Sequence, residues 1–185
     1  MGKVRIIGGE WKGRKLNVLD RQGLRPTTDR IRETVFNWLQ WHIPARRCLD
    51  LFAGSGVFGI EAVSRGASFA QLIEKDRQAA HNLRQQLQIL KTDKIELIQT
   101  DAIKLLQTPP EQPFDIVFID PPFRQNLLET CCQMLEQSHW LSSQAFIYVE
   151  MEQELSTVKF PENWHIIRDK KSGQVHYCLL ERQLT

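Results

Sequence analysis

From Arg46 onward, short apolar runs alternate with longer segments of helical spacing, and this alternation constrains the fold more than any other feature of the chain. Strand, helix and strand in succession make a βαβ unit, and repeated units build a mostly parallel sheet. The pattern predicts strands over residues 48–52, 70–73, 95–99, 116–119 and 146–150. Helices are predicted over 58–65, 77–90, 102–106 and 125–137. The end of the chain breaks the rhythm. Residues 164–169 and 174–181, joined by Lys170-Lys171-Ser172-Gly173, read as an antiparallel hairpin. A parallel sheet finished by a hairpin departs from a plain dinucleotide-binding fold.

Ahead of this region, residues 3–7 and 15–19 read as two strands joined by the basic, turn-rich link Gly8-Gly9-Glu10-Trp11-Lys12-Gly13-Arg14. After Arg25-Pro26-Thr27-Thr28, apolar Ile31, Val35, Trp38 and Leu39 fall at helical spacing, ending before Pro44. The expected organisation is an extension, residues 1–45, followed by one α/β domain, residues 46–185. The net charge of +2 is unevenly placed: residues 1–47 carry +7 and the remainder −5. A basic segment on an acidic body attracts a polyanion without making the whole protein basic. No apolar run approaches the roughly 20 residues of a membrane helix, and the N-terminus lacks the apolar stretch of a signal peptide, so the cytosol is the default location. Cys48, Cys131, Cys132 and Cys178 show no C-x-x-C spacing and the histidines are scattered, so neither a metal site nor a disulfide framework is expected.

Two constellations carry chemistry. The first is Asp50-Leu51-Phe52-Ala53-Gly54-Ser55-Gly56-Val57-Phe58-Gly59, a strand entering a Gly-rich turn and then a helix. Such glycines accept φ > 0 and let the backbone approach a ligand, while the helix start offers free N–H groups. Glu74 ends the next strand about twenty positions on, where an acid can hold the hydroxyls of a ribose. The pair points to an adenosine-type cofactor and fits NAD or S-adenosylmethionine. Asp50 favours the latter, because a carboxylate there pairs with the ammonium of a methionine moiety and repels a pyrophosphate. Asp101, before Ala102, can accept from an adenine amine, and it can equally cap the next helix.

The second is Asp115-Ile116-Val117-Phe118-Ile119-Asp120-Pro121-Pro122-Phe123, an apolar strand ending in D-P-P-F. Two prolines stiffen the loop and leave carbonyls free. An exocyclic base amine needs acceptors, which Asp120 and the Pro121 carbonyl supply, while Phe123 can stack on an extruded base.

Residues 50–59, Glu74, Asp101-Ala102 and 120–123 resemble the class I methyltransferases, and D-P-P-F is similar to the (D/N/S)PP(Y/F) motif of their amino-methylating branch. Arg5-Ile6-Ile7-Gly8-Gly9, Lys12-Gly13-Arg14 and the run from Arg25 to Asn37 closely resemble the bacterial RsmD family, small-subunit ribosomal RNA guanine-N2 methyltransferases. The resemblance implies a seven-stranded Rossmann-like sheet with the last strand antiparallel, plus an N-terminal hairpin and helix that bind RNA and close over the cofactor. It implies S-adenosylmethionine held by Asp50, Phe52, Gly54, Gly56, Gly59, Glu74, Lys75, Asp101, Ala102 and Thr28. Asp120, Pro121, Pro122 and Phe123 would act on the guanine amine. Arg5, Trp11, Lys12, Arg14, Arg25, Arg30 and Arg32 would face 16S ribosomal RNA within a small-subunit particle, with the enzyme a monomer. Methylation of adenine N6 or of a protein glutamine stays open from the loop alone, as does a non-catalytic RNA-binding assembly factor; an NAD-dependent oxidoreductase leaves D-P-P-F without a task.

Overall fold

The computed structural model describes residues 2–19, 27–122, 127–152 and 157–184. A small antiparallel hairpin, β1 (Gly2–Arg5) and β2 (Lys15–Val18), precedes helix α1 (Asp29–Leu39). The main body then runs β3 (Arg47–Asp50), α2 (Val57–Ser64), β4 (Phe69–Ile73), α3 (Arg77–Leu90), β5 (Ile95–Ile98), α4 (Ala102–Leu106), β6 (Phe114–Ile119), α5 (Leu127–Gln137) and β7 (Leu141–Met151). It closes with β8 (Trp164–Ser172) and β9 (Val175–Arg182). The seven-stranded sheet has the order β5-β4-β3-β6-β7-β9-β8. Pairings from β5 to β7 are parallel, and β9 enters antiparallel between β7 and β8.

Side-chain alternation along the strands assigns each residue to one of two apolar layers. Cys48, Ile116, Phe118, Tyr148 and Leu179 join α1, α2 and α3 on one face. Leu49, Val117, Ile119, Ile147 and Leu180 join α4 and α5 on the other. The sheet is therefore covered on both sides, which explains why its central strands read as continuous apolar runs. Strand order reverses between β3 and β6, opening a crevice at their carboxyl ends.

Helix α2 is buried along its whole length. It lies so close to β4 that a Cβ on Gly59 would collide with the Leu72 side chain. Its outer side is covered by the N-terminal hairpin through Glu61, whose carboxylate accepts N–H bonds from Ile7 (2.9 Å) and Gly8 (2.7 Å). Arg32 of α1, fully buried, bonds Glu61 Oε2 at 3.4 Å, Asp29 and the Arg5 carbonyl. The hairpin tip is fixed by Ser64, whose carbonyl accepts from Glu10 and whose hydroxyl accepts from Trp11.

These interactions correct two expectations. Arg32 is not directed at phosphate: its guanidinium is spent on Glu61 and on α1. Trp11 is 5% exposed and packs into the apolar layer over α2, so it has no free face for a base. Its basic neighbours obscured this in the sequence. Trp41, just beyond α1, is 84% exposed. Strand β7 begins earlier than its apolar pattern suggested, because Ser142, Ser143 and Gln144 continue the strand beside a register shift between Phe114 and Ile116.

The hairpin of β8 and β9 is tied to α5 by Glu136, which accepts two bonds from Arg182 at 2.7 Å and one each from Trp164 and Asn163. Arg182 holds the Glu136 carboxyl down at about 2. Among the described residues, no helix is long and apolar enough to cross a membrane.

Candidate active site at the strand ends

Asp50 ends β3, and the chain then turns through Gly54 and Gly56, at φ +55 and +76, before α2 begins. A Cβ on Gly54 would meet nothing within 4 Å, so this turn borders open space, and its backbone conformation disfavours any other residue. The Gly54 N–H donates to Glu74 Oε2 (2.9 Å), joining the turn to the end of β4. Glu74 Oε1 also accepts from the Asp76 N–H (2.7 Å), which fixes the carboxylate in its place.

Asp50 is buried, and its Oδ2 accepts from the Gly59 N–H at 3.2 Å. Burial raises its carboxyl to about 7; the Gly59 bond opposes the shift and the charge of Glu74 adds to it. Asp101 caps α4 by accepting from the Lys104 N–H and pairs with Lys75 at 3.0 Å. The Lys75 bond keeps its carboxyl below the usual range, so it stands as an ionised acceptor. Phe52 is half-buried against the second apolar layer and Ala102 is buried beside it. Asp50, Glu74 and Asp101 thus stand at the ends of three adjacent strands, β3, β4 and β5.

Asp120 follows β6, half-buried, with Pro121 half-buried and Pro122 exposed. Phe123 and Arg25 lie outside the described residues. Thr27 Oγ1 stands 3.3 Å from Asp120 Oδ2 and 2.9 Å from Glu150 Oε2. Tyr148 completes the group by donating to Glu150 Oε2 (3.0 Å). Burial raises the carboxyls of both Asp120 and Glu150, and the charge of Glu150 raises Asp120 further. Thr27, Tyr148 and Glu150 were missed in the sequence. Glu150 was visible only as the last residue of an apolar strand, and no local motif marks it.

Thr28, expected at the cofactor, accepts from the Ile31 N–H as the cap of α1, while its neighbour Thr27 reaches the D-P-P loop. Of the cationic residues expected on the RNA side, Arg5, Lys12, Arg14 and Arg30 are exposed.

The sheet order, the Gly-rich turn after β3 and the acid after β4 together define a class I methyltransferase architecture. Residues 4–181 match the family described as Conserved hypothetical protein 95. The chain is 49% identical over 182 residues to Ribosomal RNA small subunit methyltransferase D of Escherichia coli strain K12, covering 98% of this chain and 91% of that one. It is 46% identical over 183 residues to the protein of the same name from Haemophilus influenzae, covering 97% and 94%. A solved Escherichia coli chain carried under a methyltransferase name, yhhF, superposes with a TM-score of 0.91 at 45% identity, covering 100% of both chains. The chain belongs to this family, the RsmD family of methyltransferases.

Proposed function

We propose that this protein transfers a methyl group from S-adenosylmethionine to the exocyclic N2 amine of a guanine in small-subunit ribosomal RNA. The observation that carries the reading is Asp120, bonded by Thr27 at the end of β6 and close enough to Asp50, at the end of the neighbouring β3, to feel its charge. The residues present fit the cofactor. Glu74 suits the ribose hydroxyls, Asp101 and Ala102 suit the adenine edge, and Asp50 is a buried acid that a cationic ammonium would stabilise. When bound, S-adenosylmethionine supplies an electrophilic methyl carbon, and the N–C bond forms as the C–S bond breaks.

This chain's own residues do the positioning. Asp120 and the Pro121 carbonyl accept the two amine N–H bonds and direct the nitrogen lone pair toward the methyl, while Phe123 holds the base. The amine becomes acidic only as the new bond forms, so no strong base is required; its proton goes to Asp120 and then to water. Most of the acceleration comes from orientation. Residues 1–45 serve as the RNA-binding extension, with Arg5, Lys12, Arg14, Arg25 and Arg30 toward phosphate. The enzyme works as a cytoplasmic monomer on a small-subunit particle.

The test is transfer of labelled methyl from S-adenosylmethionine to small ribosomal subunits lacking the modification, with the product nucleoside identified by mass spectrometry. N2-methylguanosine at a single site is expected. N6-methyladenosine or labelled protein would overturn the substrate assignment.

A further inference from the structure

A hydroxyl has one proton to donate, yet Thr27 Oγ1 lies within hydrogen-bonding distance of two carboxyls, Asp120 Oδ2 at 3.3 Å and Glu150 Oε2 at 2.9 Å. Both bonds are satisfied only when one carboxyl is protonated and donates to Thr27 while Thr27 donates to the other. With both acids ionised, Thr27 leaves one oxygen facing it without a proton between them. The structure therefore has room for one shared proton, and the Thr27 hydroxyl is the group through which it crosses: it gives its own proton to one carboxylate as it takes that of the other.

We propose that Glu150 is a positioning residue for methyl transfer, sharing one proton with Asp120 through the Thr27 hydroxyl so that Asp120 is held in place and is ionised when the amine arrives. This rests on the methyl-transfer reading above. Glu150 is 4% exposed, whereas Asp120 is half-buried, and Thr27 lies between the two carboxyls. The surrounding groups are acids and phenols: Asp50 from β3, Tyr148 on β7 itself, and Tyr177 of β9, which is the register partner of Glu150. Burial and the charge of Asp50 therefore oppose a second negative charge, whereas the neutral Tyr148 stabilises a single charge by donating to Glu150. The tautomer with the charge on Asp120 grips the amine, and the one with the charge on Glu150 is its resting counterpart, with Tyr148 donating to that carboxylate.

The experiment measures kcat and KM across pH for the wild type and for Thr27→Val, Thr27→Ser and Glu150→Gln, with S-adenosylmethionine affinity and thermal melting as checks on folding. Thr27→Val should lower kcat about tenfold or more, the worth of a hydrogen bond to a charged group, with cofactor affinity kept, and Thr27→Ser should restore it. Glutamine donates an N–H to Thr27 but cannot ionise, so Glu150→Gln should move the alkaline limb of kcat up by about one pH unit or more, since the second ionisation of the pair is gone. Difference infrared spectra of wild type against Glu150→Gln, which need no turnover, should show the last carboxyl ionising at higher pH in the wild type. Superimposable pH profiles and carboxyl titrations would overturn the shared proton even if methyl transfer is confirmed. A wild type that labels no guanine would overturn the functional reading instead, whatever the infrared titration shows.

Discussion

Asp50 is the residue at which burial and function pull in opposite directions. Its carboxyl is raised to about 7 chiefly by desolvation, so above that pH it is an ionised group without the water it would prefer. An ammonium brought beside it recovers that cost. The attraction is present above about 7 and fades as pH falls, because the free protein then takes up a proton that the cofactor must displace. S-adenosylmethionine affinity measured by calorimetry should therefore weaken below that pH by up to about tenfold per unit. Asp50→Asn should bind weakly at all pH values and lose this dependence, while an unliganded fold freed of a buried charge loses no stability. Affinity that is flat between pH 6 and 8 in the wild type would remove Asp50 from the ammonium. Asp50, Glu74 and Asp120 were all legible in the sequence, because each ends an apolar strand and a sheet of this kind binds ligands at strand ends. Glu150 ends such a strand too, but its significance depends on Thr27 reaching across 123 positions of sequence, a pairing that no spacing rule encodes.

At the scale of elements, α2 joins the two parts of the molecule. Glu61 and Arg32, both fully buried, link α2, α1 and the start of the hairpin in one network. Glu61 keeps Arg65 at 3.0 Å and its bonds from Ile7 and Gly8 when Arg32 is removed, so Arg32→Ala should cost about 1–3 kcal/mol of unfolding free energy in urea titration, the worth of hydrogen bonds to a buried charged group. Lys12→Ala with Arg14→Ala should behave in the opposite way. Both residues are exposed at the hairpin tip, so stability should hold while the salt dependence of RNA binding falls by about 0.7–0.9 in log–log slope for each phosphate no longer neutralised. An Arg32→Ala protein of normal stability with a reduced salt slope would return Arg32 to the RNA side. Most strands and helices of the α/β body were readable within a residue or two, since 2.0 and 3.6 periodicities differ sharply, but the start of β7 and the end of β8 were not, because polar residues continue both strands. The fate of Arg32 was not, because an arginine on a helix looks the same whether it meets phosphate or a buried glutamate.

At the scale of the whole molecule, the basic extension and the acidic body share one apolar layer: Ile6, Trp11, Leu16 and Ile31 pack in the same cluster as Cys48, Phe58 and Phe118. The hairpin is thus fixed on the face of the sheet that α2 covers, and Thr27 at the start of α1 bonds directly to the D-P-P loop. On the proposed function, RNA held by the extension would be brought toward the acid that receives its base. The most direct test is Asp120→Ala, comparing methyl transfer to unmodified small subunits with S-adenosylmethionine affinity in the same preparation. Turnover should vanish while cofactor affinity stays within a few-fold of the wild type, whereas normal transfer by this variant would contradict the assignment of the site.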